Sequence, residues 1–343
     1  MGTSLPPVIV GLDNGGTMNN ATVLDLATGR FLVEHMLERP SRVREGPEVA
    51  IEALASSFGQ VLDVTGVPRA AVRAVGLDTP GPASADGVLS SRGGTNLGAG
   101  WGGFNIRAAL EHRLGLPVVY TNDANAAALY AHYARFGPRA AQHSSVAVIV
   151  GTGLGGGVVE SGHVVGGAAG MAGELGHVQI PLDGLLEDGQ PVPSCNCGLA
   201  GDVESFASLC GIERSLLPYW LTRFPGHPLG EVQPLGNAAK LVRGYGEAGD
   251  PLARAIFGQQ ANALGRLFSI AAMFTDPGTY FVGGGVVEAD PAFRDWFLAQ
   301  VRGHTTLRPE QARAVEFVLV PELDRAGARG AALAARSAMD QRA

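Results

Sequence analysis

Residues 8–17 read Val-Ile-Val-Gly-Leu-Asp-Asn-Gly-Gly-Thr, and residues 146–157 read Val-Ala-Val-Ile-Val-Gly-Thr-Gly-Leu-Gly-Gly-Gly. Each is an apolar run ending in a glycine-rich turn, and each leads into a second β-prone segment, at 21–24 and at 157–160. Backbone amides of such turns point at anions, and missing side chains let the main chain come close. Either turn alone is more often a plain hairpin tip than a phosphate loop. Two at matching positions, with Gly283, Gly284 and Gly285 directly after a third apolar run, imply a duplicated unit. In it, one loop per domain clamps a nucleotide's phosphates across a cleft. The first loop comprises Asp13, Gly15, Gly16 and Thr17, and the second Gly151, Thr152 and Gly153. No Gly-Lys-Ser/Thr follows the glycines, so neither a Walker loop nor a Rossmann fingerprint is present.

This pattern resembles the duplicated actin, Hsp70 and hexokinase-like (RNase H-like) ATPase fold, an α/β architecture of two domains with an active-site cleft. In that fold the third glycine cluster, here Gly283, Gly284 and Gly285, flanks the adenosine. The remaining chain agrees with α/β layers. Strands are expected at 8–12, 21–24, 31–33, 72–77 and 118–120, and helices at 47–62, 106–114 and 123–134. Pro47 suits a first helical turn. A second round holds strands at 146–150, 157–160, 280–282 and 315–320, helices across 252–274, and an alanine-rich helix at 326–339. The expected domains are 1–122, with a C-terminal helix at about 325–343 packing back on it, and 123–324. The Pro- and Gly-rich stretch 218–236 reads as an inserted loop.

A chain of 343 residues suggests two sizeable cores. Its 50 glycines are roughly twice average usage and cluster in the three turns above. A net charge of −7 argues against a general nucleic-acid partner, which demands clustered Lys and Arg. No long apolar run suggests a membrane span, and the first residues lack a secretory pattern. Three cysteines at metal-like spacing fit a reducing cytoplasm, so the expected location is cytoplasmic.

Between residues 174 and 204 stand Glu174-Leu-Gly-His177, then Cys195-Asn-Cys197-Gly198, then Gly201-Asp202-Val203-Glu204. A histidine and two thiolates suit a closed tetrahedral zinc site. Glutamates of this kind accept hydrogen bonds from substrate hydroxyls. The stretch therefore reads as a metal-stiffened wall of a sugar pocket; the alternative is a loop with incidental cysteines. Cys210, the third thiol, reads as a small buried apolar residue.

The same stretch resembles the signature of the ROK family of repressors and sugar kinases, Glu-x-Gly-His followed by Cys-x-Cys-Gly-x-x-Gly-Cys-x-Glu. There the histidine and three cysteines hold a structural zinc. The resemblance implies His177, Cys195 and Cys197 as ligands, with Asp202 standing where the third cysteine belongs. A carboxylate oxygen can complete such a site. The segment between His177 and Cys195 is longer than the family pattern. Met18 stands where many ROK kinases carry lysine.

Thr121-Asn122-Asp123-Ala-Asn125 follows a strand and opens a helix. By local chemistry it is an Asx capping pair. By resemblance it is the ROK Asn-Asp-x-Asn-Ala-Ala-Ala segment, whose aspartate is the catalytic base, which makes Asp123 that base. Phosphoryl transfer needs a hydroxyl in line with the γ-phosphate and a carboxylate to take its proton. The resemblance further implies that Asn96, Asn122, Asp123, Glu174, His177 and Glu204 bind sugar hydroxyls. Residues 77–82 resemble the family's Gly-x-Pro-Gly turn. Asp13 reads either as a turn aspartate or as the group orienting hydrated Mg²⁺ beside ATP. Trp101 reads as core or as part of the sugar segment.

The function implied is an ATP-dependent hexose kinase, glucokinase-like, using ATP, Mg²⁺ and a structural Zn²⁺, in a homodimer as is common in the family. Glucose is the default acceptor; another hexose, an amino sugar or a cyclitol is the alternative. A sugar-sensing regulator is the competing class, but family repressors carry a helix-turn-helix before the first strand.

Overall fold

The computed structural model describes residues 6–81, 83–90, 97, 99–320 and 322–341. Among the described residues, ten strands form two sheets. The first contains β1 (Val8–Asn14), β2 (Met18–Asp25), β3 (Leu37–Pro40), β4 (Val72–Thr79) and β5 (Val118–Asn122), in the order β3-β2-β1-β4-β5. β1 pairs antiparallel with β2 and parallel with β4, and β4 pairs parallel with β5. The second contains β6 (Ser144–Val150), β7 (Leu154–Glu160), β8 (His163–Val164), β9 (Thr279–Gly284) and β10 (Glu316–Leu319). Its order, β8-β7-β6-β9-β10, repeats the first sheet strand for strand. The duplication inferred from the paired glycine turns is therefore real at the level of topology.

The chain divides into two compact units. One comprises Met1–Gln142, Gly157–Gly173 and Glu322–Ala343; the other comprises His143–Gly156 and Glu174–Pro321. The expected boundary at 122/123 falls where the helix Asp123–Phe136 begins, and that whole helix clusters with the first unit. Small residues cause this. An added Cβ at Gly330, on the C-terminal helix Ala326–Asp340, would lie 2.0 Å from the Ala126 carbonyl. The same helix crosses the sheet at Gly11 and Gly76, where a Cβ would lie 2.0 Å from the carbonyls of Ala328 and Ala331.

In the first unit the helix Pro47–Thr65 starts on proline and buries Leu54, Phe58 and Val61 against Val10, Val23, Val75 and Leu77. It ends at Gly66, whose left-handed φ of 67° lets its amide close on Leu62 and Asp63. In the second unit, the helix Pro251–Thr275 buries Leu264, Leu267 and Phe268, and Tyr280, Phe281 and Val282 of β9 are buried too. Trp101 is core: it is 3% exposed and donates its indole N–H to the Val43 carbonyl at 2.9 Å.

Three expectations are corrected. No strand forms at 31–33; Phe31 makes a single bridge to Leu24, and β3 lies later, at Leu37–Pro40. Asp25 causes the displacement, because its carboxylate accepts from Ala27 and Thr28 and builds a turn that carries the chain past residue 31. The stretch 218–236 is not a plain loop: Leu217–Arg223 is α-helical and continues directly from the π-helical turn Ile212–Leu216, and Pro228–Glu231 forms a 3-10 turn. The second glycine loop is shorter than it reads, since β7 already begins at Leu154. Among the described residues no helix is long and apolar enough to cross a membrane.

Candidate active-site residues

In the first unit, parallel register sets acidic side chains at the carboxyl ends of three adjacent strands. Asp13 ends β1 beside Asp78 of β4, and Asp78 lies beside Thr121 of β5, two residues before Asp123. Asn20 donates to Asp13 at 2.8 Å. Asp78 is fully buried, with its carboxylate against Asp13 and the Asn14 amide. Burial pushes its carboxyl well above the usual range, and the negative charges of Asp13 and then Asp123 add to this. Burial also raises Asp13, against the lowering effect of Asn20. Gly327 sits over the pair, and a Cβ there would lie 2.8 Å from the Asp13 carboxyl carbon and 2.9 Å from an Asp78 oxygen.

Asp123 is exposed at the first position of its helix. Its carboxylate accepts from the Ala124 amide at 2.8 Å, and Asn122 supplies the cap by accepting from Asn125 at 2.7 Å. The expected capping pair and an outward carboxylate thus coexist. Capping engages the Asn122 oxygen. Asn96 lies outside the described residues.

The first glycine loop is closed by its own backbone. The Gly15 amide donates to the Met18 carbonyl at 3.0 Å, and Ser41 donates to Thr17 at 2.9 Å. A Cβ on Gly15 would lie 2.5 Å from that Met18 oxygen, so glycine is required. Gly16 and Thr17 form the hairpin tip.

In the second unit, candidate ligand atoms of His177, Cys195, Cys197 and Asp202 all lie within 4.8 Å of one another. Individual separations are 3.4 Å from His177 Nδ1 to Asp202 Oδ2, 3.8 Å from Cys195 Sγ to His177 Nδ1, and 3.7 Å from Cys197 Sγ to Asp202 Oδ2. Tetrahedral zinc with ordinary bond lengths spaces its ligands about 3.3–3.8 Å apart. The donor set and its spacing fit zinc. Burial holds the Cys195 thiol far above its ordinary value, and Asp202 adds to this. His177 turns Nδ1 to the cluster, which leaves Nε2 available. Glu174 is half-buried one turn before it.

The second glycine loop bonds Gly151 N–H to the Gly153 carbonyl at 2.9 Å. Gly284, at the end of β9, has φ 98°, and a Cβ there would lie 1.8 Å from the Val150 carbonyl. The Gly285 carbonyl accepts from Arg243 at 2.7 Å.

Two features escaped the sequence reading. Asp78 was part of a turn motif, although the tripeptide Gly-Leu-Asp occurs at both 11–13 and 76–78 and signals equivalent strand ends. The segment 208–210 binds the second loop through backbone groups, which carry no residue signature.

A model described as the ROK family matches residues 9–338. A glucokinase of Streptomyces coelicolor is 31% identical over 288 residues, 81% of each chain. Among solved structures, a ROK hexokinase from Thermus thermophilus superposes with a TM-score of 0.74 at 32% identity, covering 97% of this chain and 99% of the other. A ROK glucokinase from Streptomyces griseus, in complex with glucose and AMPPNP, gives 0.66 at 28% identity, covering 96% and 99%. The fold is thus the expected one: two α/β domains with mixed sheets, of the actin/hexokinase-like ATPase type.

Proposed function

The chain belongs to the ROK family, and from that premise we propose that it is an ATP-dependent hexose kinase whose acceptor is glucose, phosphorylated at the C6 hydroxyl. The observation that carries the mechanism is the register of β1, β4 and β5. It aligns Asp13 with the buried Asp78, and Asp78 with Thr121, two residues before the exposed Asp123.

Asp123 takes the proton of the sugar hydroxyl as that oxygen attacks the γ-phosphorus. The helix start suits this role, because first-turn amides favour negative charge. Asn122 donates to a neighbouring sugar hydroxyl. Glu174, Glu204 and Nε2 of His177 bind further hydroxyls, and Asn96 supplies another amide. Each buried hydroxyl needs such a partner, since an unmatched one costs about 1–3 kcal/mol.

Both glycine loops bind phosphate oxygens through main-chain amides, and the Gly283–285 cluster borders the adenosine. Mg²⁺ would be held through Asp13, with Asp78 behind it, and would supply charge neutralisation on the phosphates. The side-by-side carboxylates of Asp13 and Asp78 support that reading, because hard carboxylate oxygens are what this ion prefers. Zinc on His177, Cys195, Cys197 and Asp202 stiffens the sugar wall.

A coupled ADP-release assay over glucose, other hexoses and amino sugars tests the reading. Glucose should give the highest kcat/KM. ADP release that no sugar stimulates would contradict the kinase assignment, and a stronger response to an amino sugar would replace glucose as the acceptor.

A further inference from the structure

The cysteine knuckle and the second phosphate loop lie in the same unit, and the bonds joining them form a continuous path. Asp202 divides its carboxylate between two tasks. Oδ2 faces His177 Nδ1 at 3.4 Å and Cys197 Sγ at 3.7 Å, while Oδ1 accepts from the Ser205 amide at 2.9 Å and so caps the helical turn Val203–Ala207. That turn carries Glu204. Its Oε1 lies 3.5 Å from Cys195 Sγ, and its Oε2 accepts from the Leu154 amide at 2.8 Å. Two more bonds reach the loop from the following residues: Leu209 N–H donates to the Gly151 carbonyl at 3.0 Å, and Cys210 N–H to Thr152 at 3.1 Å.

The loop has fitted itself to this carboxylate. A Cβ on Gly153 would lie 2.7 Å from Glu204 Oε2, so glycine here makes room for a side chain rather than for a backbone turn. By accepting the Leu154 amide, Glu204 fixes the peptide plane between Gly153 and Leu154. The amides of Thr152 and Gly153 are then not consumed within the loop. Those two are the donors an anion would use.

From this path we infer that Glu204 is a positioning residue for the nucleotide, bracing the Gly151–Leu154 loop from the metal knuckle, in addition to any contact it makes with sugar. The inference rests on the kinase reading. Asp202 suits the arrangement, because a carboxylate has one oxygen for the metal and one for the cap, whereas a thiolate has a single donor atom.

The test is binding of mant-ADP, followed by fluorescence, with no sugar present. In the wild-type protein mant-ADP binds. Glu204→Ala should weaken it about tenfold, and Glu204→Gln, whose carbonyl can still accept from Leu154, should stay within about threefold of wild type. Removing the metal with a chelator should weaken binding in the wild type but add little in Glu204→Ala, because both act through one path. Gly153→Ala perturbs the contact from the loop side and should weaken binding even if Glu204→Ala fails to fold. Equal mant-ADP affinity in wild type, Glu204→Ala and Gly153→Ala, with far-UV circular dichroism unchanged, overturns the inference while leaving the kinase reading intact. A wild-type protein that does not bind mant-ADP overturns both.

Discussion

The two glycine loops occupy equivalent places in repeated sheets, yet they are restrained by different means. The loop between β1 and β2 closes on itself, amide of Gly15 to carbonyl of Met18. The loop between β6 and β7 is held from outside, by Glu204, Leu209 and Cys210. The first loop is tethered from outside through main chain alone, Ser41 N–H to the Thr17 carbonyl, whereas the second is also held by the Glu204 carboxylate. An externally held loop takes its shape from whatever shapes its tethers, and here those tethers begin at the knuckle. Duplication supplied one topology; the added knuckle made the copies behave differently. Asp123, the proposed general base, belongs to the unit with the first loop.

The largest effect should follow from Asp123→Asn. Loss of a general base lowers kcat by about a hundredfold or more, while glucose affinity, measured by calorimetry, stays near wild type because the amide preserves shape and polarity. Near-normal turnover would remove the chemical asymmetry between the units.

Alanine at the two loop glycines sharpens the comparison next. Gly15→Ala drives a Cβ against a backbone oxygen at 2.5 Å, which cannot retreat without opening the hairpin. Overpacking of that kind costs about 1–3 kcal/mol in denaturant unfolding. Gly153→Ala meets only the end of a flexible glutamate, so its stability cost should stay below about 1 kcal/mol. Equal costs at both positions would mean that the two loops are held alike.

Cys195→Ser should lower the zinc content from about one per chain toward zero by elemental analysis. It should also reduce stability by about 2 kcal/mol, since metal binding free energy is folding free energy. Full zinc retention would place the ion elsewhere. The smallest effect concerns Asp78. Its folded pKa is raised above 3.8, so the folded state holds a proton that the unfolded chain releases as pH rises. Stability is therefore lost as pH climbs above that value. Asp78→Asn should remove this loss, leaving the variant more stable than wild type at pH 8 without added Mg²⁺, by a margin that shrinks toward pH 4. A margin independent of pH would argue against the buried pair.

Much of this was legible in the amino acids. Apolar runs ending in glycines located β1, β6 and β9, and residue types at fixed spacing located the knuckle and Asp123. The clamp at 208–210 was not legible, because its donors are backbone amides that any residue provides. Glu204 was expected to bind a sugar hydroxyl, but its bond with Leu154 was not legible, because the Leu154 side chain plays no part in it. The position of β3 depended on how far one Asx turn carries the chain, which hydrophobic pattern does not encode. The stretch 218–236 was read as a loop from its prolines and glycines, yet the helical run from Leu209 continues through Pro218 to Arg223.

The most direct test of the whole account is the separation between the Asp123 carboxylate and O6 of glucose in a crystal structure with glucose and a non-hydrolysable ATP analogue. The account predicts hydrogen-bond contact, at about 2.6–3.2 Å, with the γ-phosphate on the far side of O6. A carboxylate remote from every sugar hydroxyl, with the sugar and nucleotide both bound, would contradict it.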